Sequence, residues 1–278
     1  MSKLMTSAPT PIEGSAAPYG MSTVQATNHR LQQAHSGRDW VIDEHPVALV
    51  YNGIAHVVMM ATPVDLEHFA LGFSLSEGII EGQHELYDLD VQHGIEGTEV
   101  LMTISSRAFA GLKDRKRGLA GRTGCGLCGT ESLAALELAV PRITTAYDPA
   151  WLDMIPAALA LLPEHQPLNL STGGAHAAAW VTRDGQLLAV FEDVGRHNAL
   201  DKLLGYLAQH GTDRSRGFVL MTSRASFELV RKCALLNIAL LACISAPTSL
   251  AIRLADQAGL GLASFCRGEG YVVYNTAS

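Results

Sequence analysis

The segment with the most chemistry per residue is Gly121-Arg122-Thr123-Gly124-Cys125-Gly126-Leu127-Cys128-Gly129. Two thiols three positions apart stand among four glycines. Those glycines free the backbone of most steric restriction and predict a mobile loop rather than part of a packed element. Arg107, Lys113, Arg115, Lys116, Arg117 and Arg122 flank the pair, offset by Asp114 alone, a local net of +5 in a chain whose formal charge is −7. Thiolate is the reactive form of cysteine, a free thiol titrates near about 8.5, and neighbouring cations lower that value. Within a Debye length of about 8 Å the same cations attract an anionic substrate.

Three uses of such a C-x-x-C stay open. Half of a structural zinc site is disfavoured, because such sites take four protein ligands and the sequence offers no second C-x-x-C or closely spaced Cys/His pair. Cys233 and Cys243 read more simply as small core residues of a helix and a strand. A thioredoxin-like redox pair normally opens a helix after a strand, whereas this pair follows a basic helix and a glycine loop. A carrier thiol needs exposure, mobility, thiolate character and a second sulfur nearby. It would accept sulfur as a persulfide, swing on its loop and deliver it to an acceptor, and the sequence is compatible with each requirement. No structural metal is expected.

Polar residues also gather at three expected strand ends in the second half. Glu192-Asp193-Val194-Gly195-Arg196-His197 turns a strand into a helix, with Asp193 as a cap and Gly195 for a tight turn. Free N–H groups there, beside Arg196 and His197, suit a phosphate or the polar edge of a base. Thr222-Ser223-Arg224-Ala225-Ser226 has the same architecture after the next strand. Two such junctions at carboxyl ends of strands in one sheet converge on the crevice where open α/β sheets bind ligands. Phe265-Cys266-Arg267-Gly268-Glu269-Gly270 is a third strand-end loop, and it is not a G-x-G-x-x-G fingerprint. His176 begins a strand as a polar residue or a ligand contact. It does not open a deaminase zinc site, since that chemistry needs Glu two residues on and the sequence has Ala178.

The chain that must hold these groups has 278 residues, 48% apolar and 17% charged, enough for one large domain or two smaller ones with a real core. Twenty basic against 27 acidic side chains disfavour a general nucleic-acid or anionic-membrane binder. No apolar run approaches the roughly 20 residues of a membrane span, and the N-terminus has no secretory stretch. Five cysteines, an odd count in a chain of this size, read as reduced thiols in the cytoplasm.

Residues 1–38, rich in Ser, Ala, Thr, Gln, Gly and Pro, predict a disordered tail. Residues 39–120 read as a small α+β domain, 121–141 as the glycine-rich loop and linker, and 142–278 as a larger α/β domain. Asn52-Gly53 marks a two-residue hairpin turn between strands 46–51 and 54–61. Thr62-Pro63-Val64-Asp65 reads as a capped helix start, with Leu66, Phe69, Ala70 and Phe73 on one face. Strands are expected at 89–91 and 99–104, then a basic helix at 107–117. Beyond 142, a hairpin of 175–181 and 187–191 precedes strands 218–222, 238–245 and 260–265. These alternate with helices 195–208, 226–236 and 248–257 on a parallel or mixed sheet, and a last strand lies at 271–274.

From Pro46 to Tyr274 the chain resembles formate dehydrogenase accessory proteins of the FdhD type, sulfurtransferases acting on molybdenum cofactor. The strings that carry the resemblance are Pro46-Val-Ala-Leu-Val-Tyr-Asn-Gly-Ile54, Ala70-Leu-Gly-Phe-Ser-Leu-Ser-Glu-Gly-Ile-Ile80 and Gly121-Arg-Thr-Gly-Cys-Gly-Leu-Cys128. Stretches 172–180, 192–205 and 222–226 continue it. The resemblance implies a cytidine-deaminase-like, three-layer larger domain with a mixed sheet, lacking the deaminase site. It implies a cysteine desulfurase as sulfur donor and bis-molybdopterin guanine dinucleotide as bound substrate, before insertion into the formate dehydrogenase catalytic subunit. It also implies Cys125 as the persulfide-bearing residue, Cys128 as its partner, and a homodimer. The family's guanine-dinucleotide contact matches residues 265–270, where Cys266-Arg267-Gly268-Glu269-Gly270 replaces the Lys-Pro-Gly-Arg of some relatives. Arg196, His197, Ser223, Arg224 and Arg267 are the expected cofactor contacts. A chaperone that docks the cofactor without transferring sulfur is the competing reading.

Overall fold

The computed structural model describes residues 19–30, 33–117 and 140–276. It is a mixed α/β structure with three sheets.

The first sheet corrects the expectation of a disordered tail through residue 38. Strands β1 (Met21–Arg30) and β2 (Gln33–Ile42) pair antiparallel along their full length, from Met21 opposite Ile42 to Arg30 opposite Gln33. Most of their described side chains are exposed, so no hydrophobic alternation betrays the strands in the sequence. The ribbon is pinned at its base. Met21 is buried, the Asp43 N–H donates to the Gly20 carbonyl, and Ile42 packs against Gly174.

The small sheet has the order β4-β3-β6-β5. Strands β3 (His45–Tyr51) and β4 (Ile54–Ala61) meet at Asn52-Gly53, both with positive φ, as the expected hairpin requires. Strands β5 (Leu86–His93) and β6 (Thr98–Ile104) complete it. Val47, Leu49, Tyr51, Val100, Met102 and Ile104 line one face at a period of two. Helices α1 (Leu66–Ser76) and α2 (Ser106–Arg117) cover that face. Helix α1 starts four residues later than Thr62. Its N-cap is Asp65 in the left-handed region, and no side chain caps it.

The large sheet has the order β12-β11-β10-β9-β7-β8. Its strands are β7 (His176–Thr182), β8 (Leu187–Asp193), β9 (Gly217–Met221), β10 (Leu240–Cys243), β11 (Gly261–Arg267) and β12 (Gly270–Asn275). Alternate residues of each central strand face opposite cores. Trp180, Val219, Met221 and Leu241 pack on α5 (Arg196–Gln209), α6 (Phe227–Leu235) and α7 (Ser249–Ala258). Val181, Phe218, Leu220 and Leu240 face Trp151, Ile155 and Ala158 of α3 (Trp151–Leu161). Helices thus cover both faces. Neither α3 nor α4 (Pro167–Thr172) was expected from the sequence, because Pro156, Pro163 and Pro167 read as breakers there.

The two sheets are joined through α1, which lies between the small sheet and α5. Gly72 and Gly205 let the two helix backbones touch. Asp193 and Lys202 form an ion pair of 2.7 Å with both side chains fully buried.

Candidate functional site

Strand β7 runs antiparallel to both β8 and β9, while β9, β10 and β11 are mutually parallel. The start of β7 and the ends of β8, β9, β10 and β11 therefore share one edge of the large sheet. Backbone bonds stitch the turns along it. Thr222 N–H donates to Ala177 O (3.0 Å), Ser245 N–H to Ser223 O (3.3 Å) and Phe265 N–H to Ser245 O (3.2 Å). The Arg267 Nε–H donates to Ile244 O at 3.2 Å. Arg196, His197, Ser223, Arg224, Phe265 and Arg267, expected as contacts from three separate strings, thus stand along a single rim.

At one end of the rim, Arg196 and His197 open α5 and meet Glu228 in the first turn of α6. His197 Nε2 lies 2.5 Å from Glu228 Oε2, and an Arg196 terminal nitrogen lies 3.4 Å from the same oxygen. Burial alone would raise the Glu228 carboxyl, but the His197 bond and the two neighbouring positive groups hold it below its ordinary range. His176, half-buried beside them, is pushed below its usual value by burial and then by Arg196 and His197, against the opposing charge of Asp193. Gln166, Glu192 and α4 lie behind this corner. Glu192 accepts the Leu168 and Asn169 N–H groups of α4 at 2.8 Å each.

Asp193 does not cap α5. The N-cap is Gly195, and no side chain among the described residues caps the helix. Asp193 instead accepts from Gly195 N–H (2.8 Å), Asn198 Nδ2 (2.9 Å) and Thr62 N–H (3.0 Å), and pairs with Lys202. Lys202 also donates to the carbonyls of Thr62 and Glu192. Thr62 therefore ties the two sheets together, and its hydroxyl accepts from Val194 N–H.

The 265–270 segment is a tight hairpin turn rather than an open loop. Phe265 and Gly268 take positive φ, and β12 begins at Gly270. Cys266 is fully buried in the core, so its thiol is not a surface contact; Arg267, Glu269 and the half-open Phe265 ring are what the turn exposes. Cys125, Cys128 and Arg122 lie outside the described residues, as do the side chains of Arg115, Lys116 and Arg117. Of the remaining expected cations, Arg107 is committed to Glu81 and Glu85 (2.5 and 3.0 Å), and Lys113 sits over the Phe109 ring. A cleft of about 610 Å³ lies at the opposite end of the sheet, lined by Trp180, Arg183, Leu188 and Arg216, and holds none of the expected site residues.

Glu228 was not singled out from the sequence. It lies 31 residues beyond His197, and only the packing of α5 beside α6 brings the pair together.

Fold and rim together define an α/β protein with Arg196, His197, Arg224 and Arg267 at the carboxyl edge of a mixed sheet, a basic rim suited to an anionic ligand. The expected Ser223 hydroxyl is buried and donates to the Arg224 carbonyl. The FdhD/NarQ family pattern matches residues 42–278, and the chain belongs to that family. The sulfur carrier protein FdhD of Acinetobacter baylyi is 57% identical over 256 residues, which cover 92% of this chain and 93% of that protein. Its namesake from Chromobacterium violaceum is 54% identical over 257 residues, covering 92% and 95%. The crystal structure of a formate dehydrogenase accessory protein from Desulfotalea psychrophila matches with a TM-score of 0.72 at 23% identity, over 92% of this chain and 97% of that one. That likeness is one of fold.

Proposed function

We propose that this chain is a sulfurtransferase that carries persulfide sulfur on Cys125, with Cys128 assisting. The donor is a cysteine desulfurase, and the acceptor is bis-molybdopterin guanine dinucleotide, the substrate later installed in formate dehydrogenase. The larger domain serves as a cytidine-deaminase-like scaffold without a deaminase site, and the protein acts as a cytoplasmic homodimer. The relatives named as sulfur carriers support this reading over more than nine-tenths of the chain.

The observation that carries it concerns the other thiols. Cys233, Cys243 and Cys266 are free and buried. Burial pushes Cys233 up to about 12 and Cys266 up to about 11, and Cys243 well above its ordinary value. Burial and these upward shifts disfavour a reactive thiolate at all three, which supports reading Cys125 and Cys128 as the carrier pair. In the loading step the Cys125 thiolate attacks the outer sulfur of the donor persulfide. The new S–S bond forms as the donor's S–S bond breaks, and the donor cysteine leaves as thiolate. Delivery repeats the exchange with this chain as donor: an acceptor nucleophile attacks the outer sulfur, the S–S bond breaks and Cys125 leaves as thiolate. If Cys128 attacks Cys125 instead, hydrosulfide departs and the resulting disulfide needs a dithiol to reset it.

Incubation with a desulfurase and cysteine is expected to add about 32 Da per sulfur, as thiolate exchange chemistry requires. Normal sulfur acceptance by Cys125→Ser would overturn the assignment. A Cys125→Ala variant that binds cofactor yet leaves formate dehydrogenase inactive supports transfer, whereas full activity would favour a docking chaperone.

A further inference from the structure

We propose that Glu228 is a positioning residue that aims Arg196 and His197 at a phosphoryl group of the nucleotide substrate. The inference rests on the reading above for the identity of that substrate.

One carboxylate oxygen gathers groups from two helices. Glu228 Oε2 takes His197 Nε2 at 2.5 Å, an Arg196 terminal nitrogen at 3.4 Å and the Ser226 hydroxyl at 3.3 Å. Its side chain is only 18% exposed, so the grip is shielded from solvent, and charge-assisted bonds there are strong. A carboxylate accepts, so His197 donates from Nε2. That leaves Nδ1, which has no partner among the described residues, as the ring nitrogen facing a ligand; it donates to a phosphoryl oxygen when the ring carries a proton on both nitrogens. The Arg196 Nε–H is buried and has no acceptor among the described residues. That Nε–H is sealed from solvent, so an incoming oxyanion would meet the Arg196 terminal nitrogens, on a side chain that is 29% exposed. The first-turn N–H groups of α5 carry no side-chain cap and are available beside it. Arg224, exposed on the adjoining turn, adds a further cation. Glu228 thus makes no contact with the ligand itself; it sets the direction of two groups that do.

The test has a part that needs no substitution. Nitrogen-15 NMR of the ligand-free wild-type protein is expected to find His197 protonated at Nε2. A neutral ring protonated at Nδ1 alone would overturn the proposal. The second part measures guanosine monophosphate binding by calorimetry in a double-mutant cycle. Glu228→Gln should weaken binding roughly tenfold, the scale of one charge-assisted bond. In a His197→Ala background the same change should cost less than half as much on a logarithmic scale, because Glu228 acts through that ring. Unchanged affinity in Glu228→Gln, or a full and additive loss in both backgrounds, overturns the positioning role alone. Failure of the wild-type protein to bind the nucleotide overturns the substrate reading together with it.

Discussion

Gly72 and Gly205 meet back to back where α1 crosses α5. A Cβ built on Gly72 would lie 1.8 Å from the Asp201 carbonyl oxygen, and one built on Gly205 would lie 1.9 Å from the His68 carbonyl oxygen. Both obstacles are backbone, so no side-chain rotation relieves them. The small and large sheets are coupled through this crossing, and the missing side chains set the distance at which they sit. Gly72→Ala or Gly205→Ala must push the helices apart and is expected to cost about 3 kcal/mol or more, the upper range for core overpacking. Urea unfolding measures it, and a midpoint unchanged in both variants would contradict the close crossing.

Lys202 is fully buried against Asp193 and two carbonyls. Lys202→Met keeps the bulk and removes the charge, leaving Asp193 with its N–H donors but no counter-ion. Breaking a buried pair on one side typically costs about 3–5 kcal/mol. Loss of that size in chemical denaturation is expected for Lys202→Met. A variant as stable as the parent would mean that the three N–H bonds to Asp193 suffice alone.

Glu85 supplies a pH dependence with a defined window. The Glu81 N–H, the Ser105 hydroxyl and then Arg107 hold its carboxyl down to about 2. The unfolded chain takes up this proton near 4.5, the folded chain only near 2. The unfolded state therefore binds more protons between those values, and stability falls as pH is lowered through them. Above 4.5 the contribution is complete. Glu85→Gln should be less stable than the parent at neutral pH, and the gap should close as pH approaches 2. Parallel acid-unfolding curves for the two proteins would remove Glu85 from the account.

The buried thiols give a labelling pattern. Iodoacetamide at neutral pH should leave Cys233, Cys243 and Cys266 unmodified in the native protein, and denaturant should make all three reactive. Peptide mass spectrometry reads each site separately. Native labelling at Cys266 would show that the 265–270 turn opens in solution and would return that thiol to the candidate carriers.

Local chemistry in the sequence determined much of what the structure contains. Asn52-Gly53 is one of few dipeptides that accept positive φ twice, so the β3–β4 hairpin follows from two residues. The alternation of short apolar runs with amphipathic segments was enough for the helix and strand order beyond residue 175. The cysteine spacing and the strings around it were enough to find the family. Elements without periodic hydrophobicity stayed hidden: β1 and β2 expose most of their described side chains, and α3 carries a proline in its middle.

Tertiary structure alone decided the partnerships. Thr62 looks like a helix cap in sequence, yet it bridges to Asp193, Val194 and Lys202, more than 130 residues away, because burial leaves its backbone groups no water to satisfy them. Cys266 looked like a surface contact until strand pairing turned its side chain inward. Glu228 acquired its role only when α6 packed beside α5, since a hydrogen bond depends on a distance of a few ångströms that chain separation does not encode.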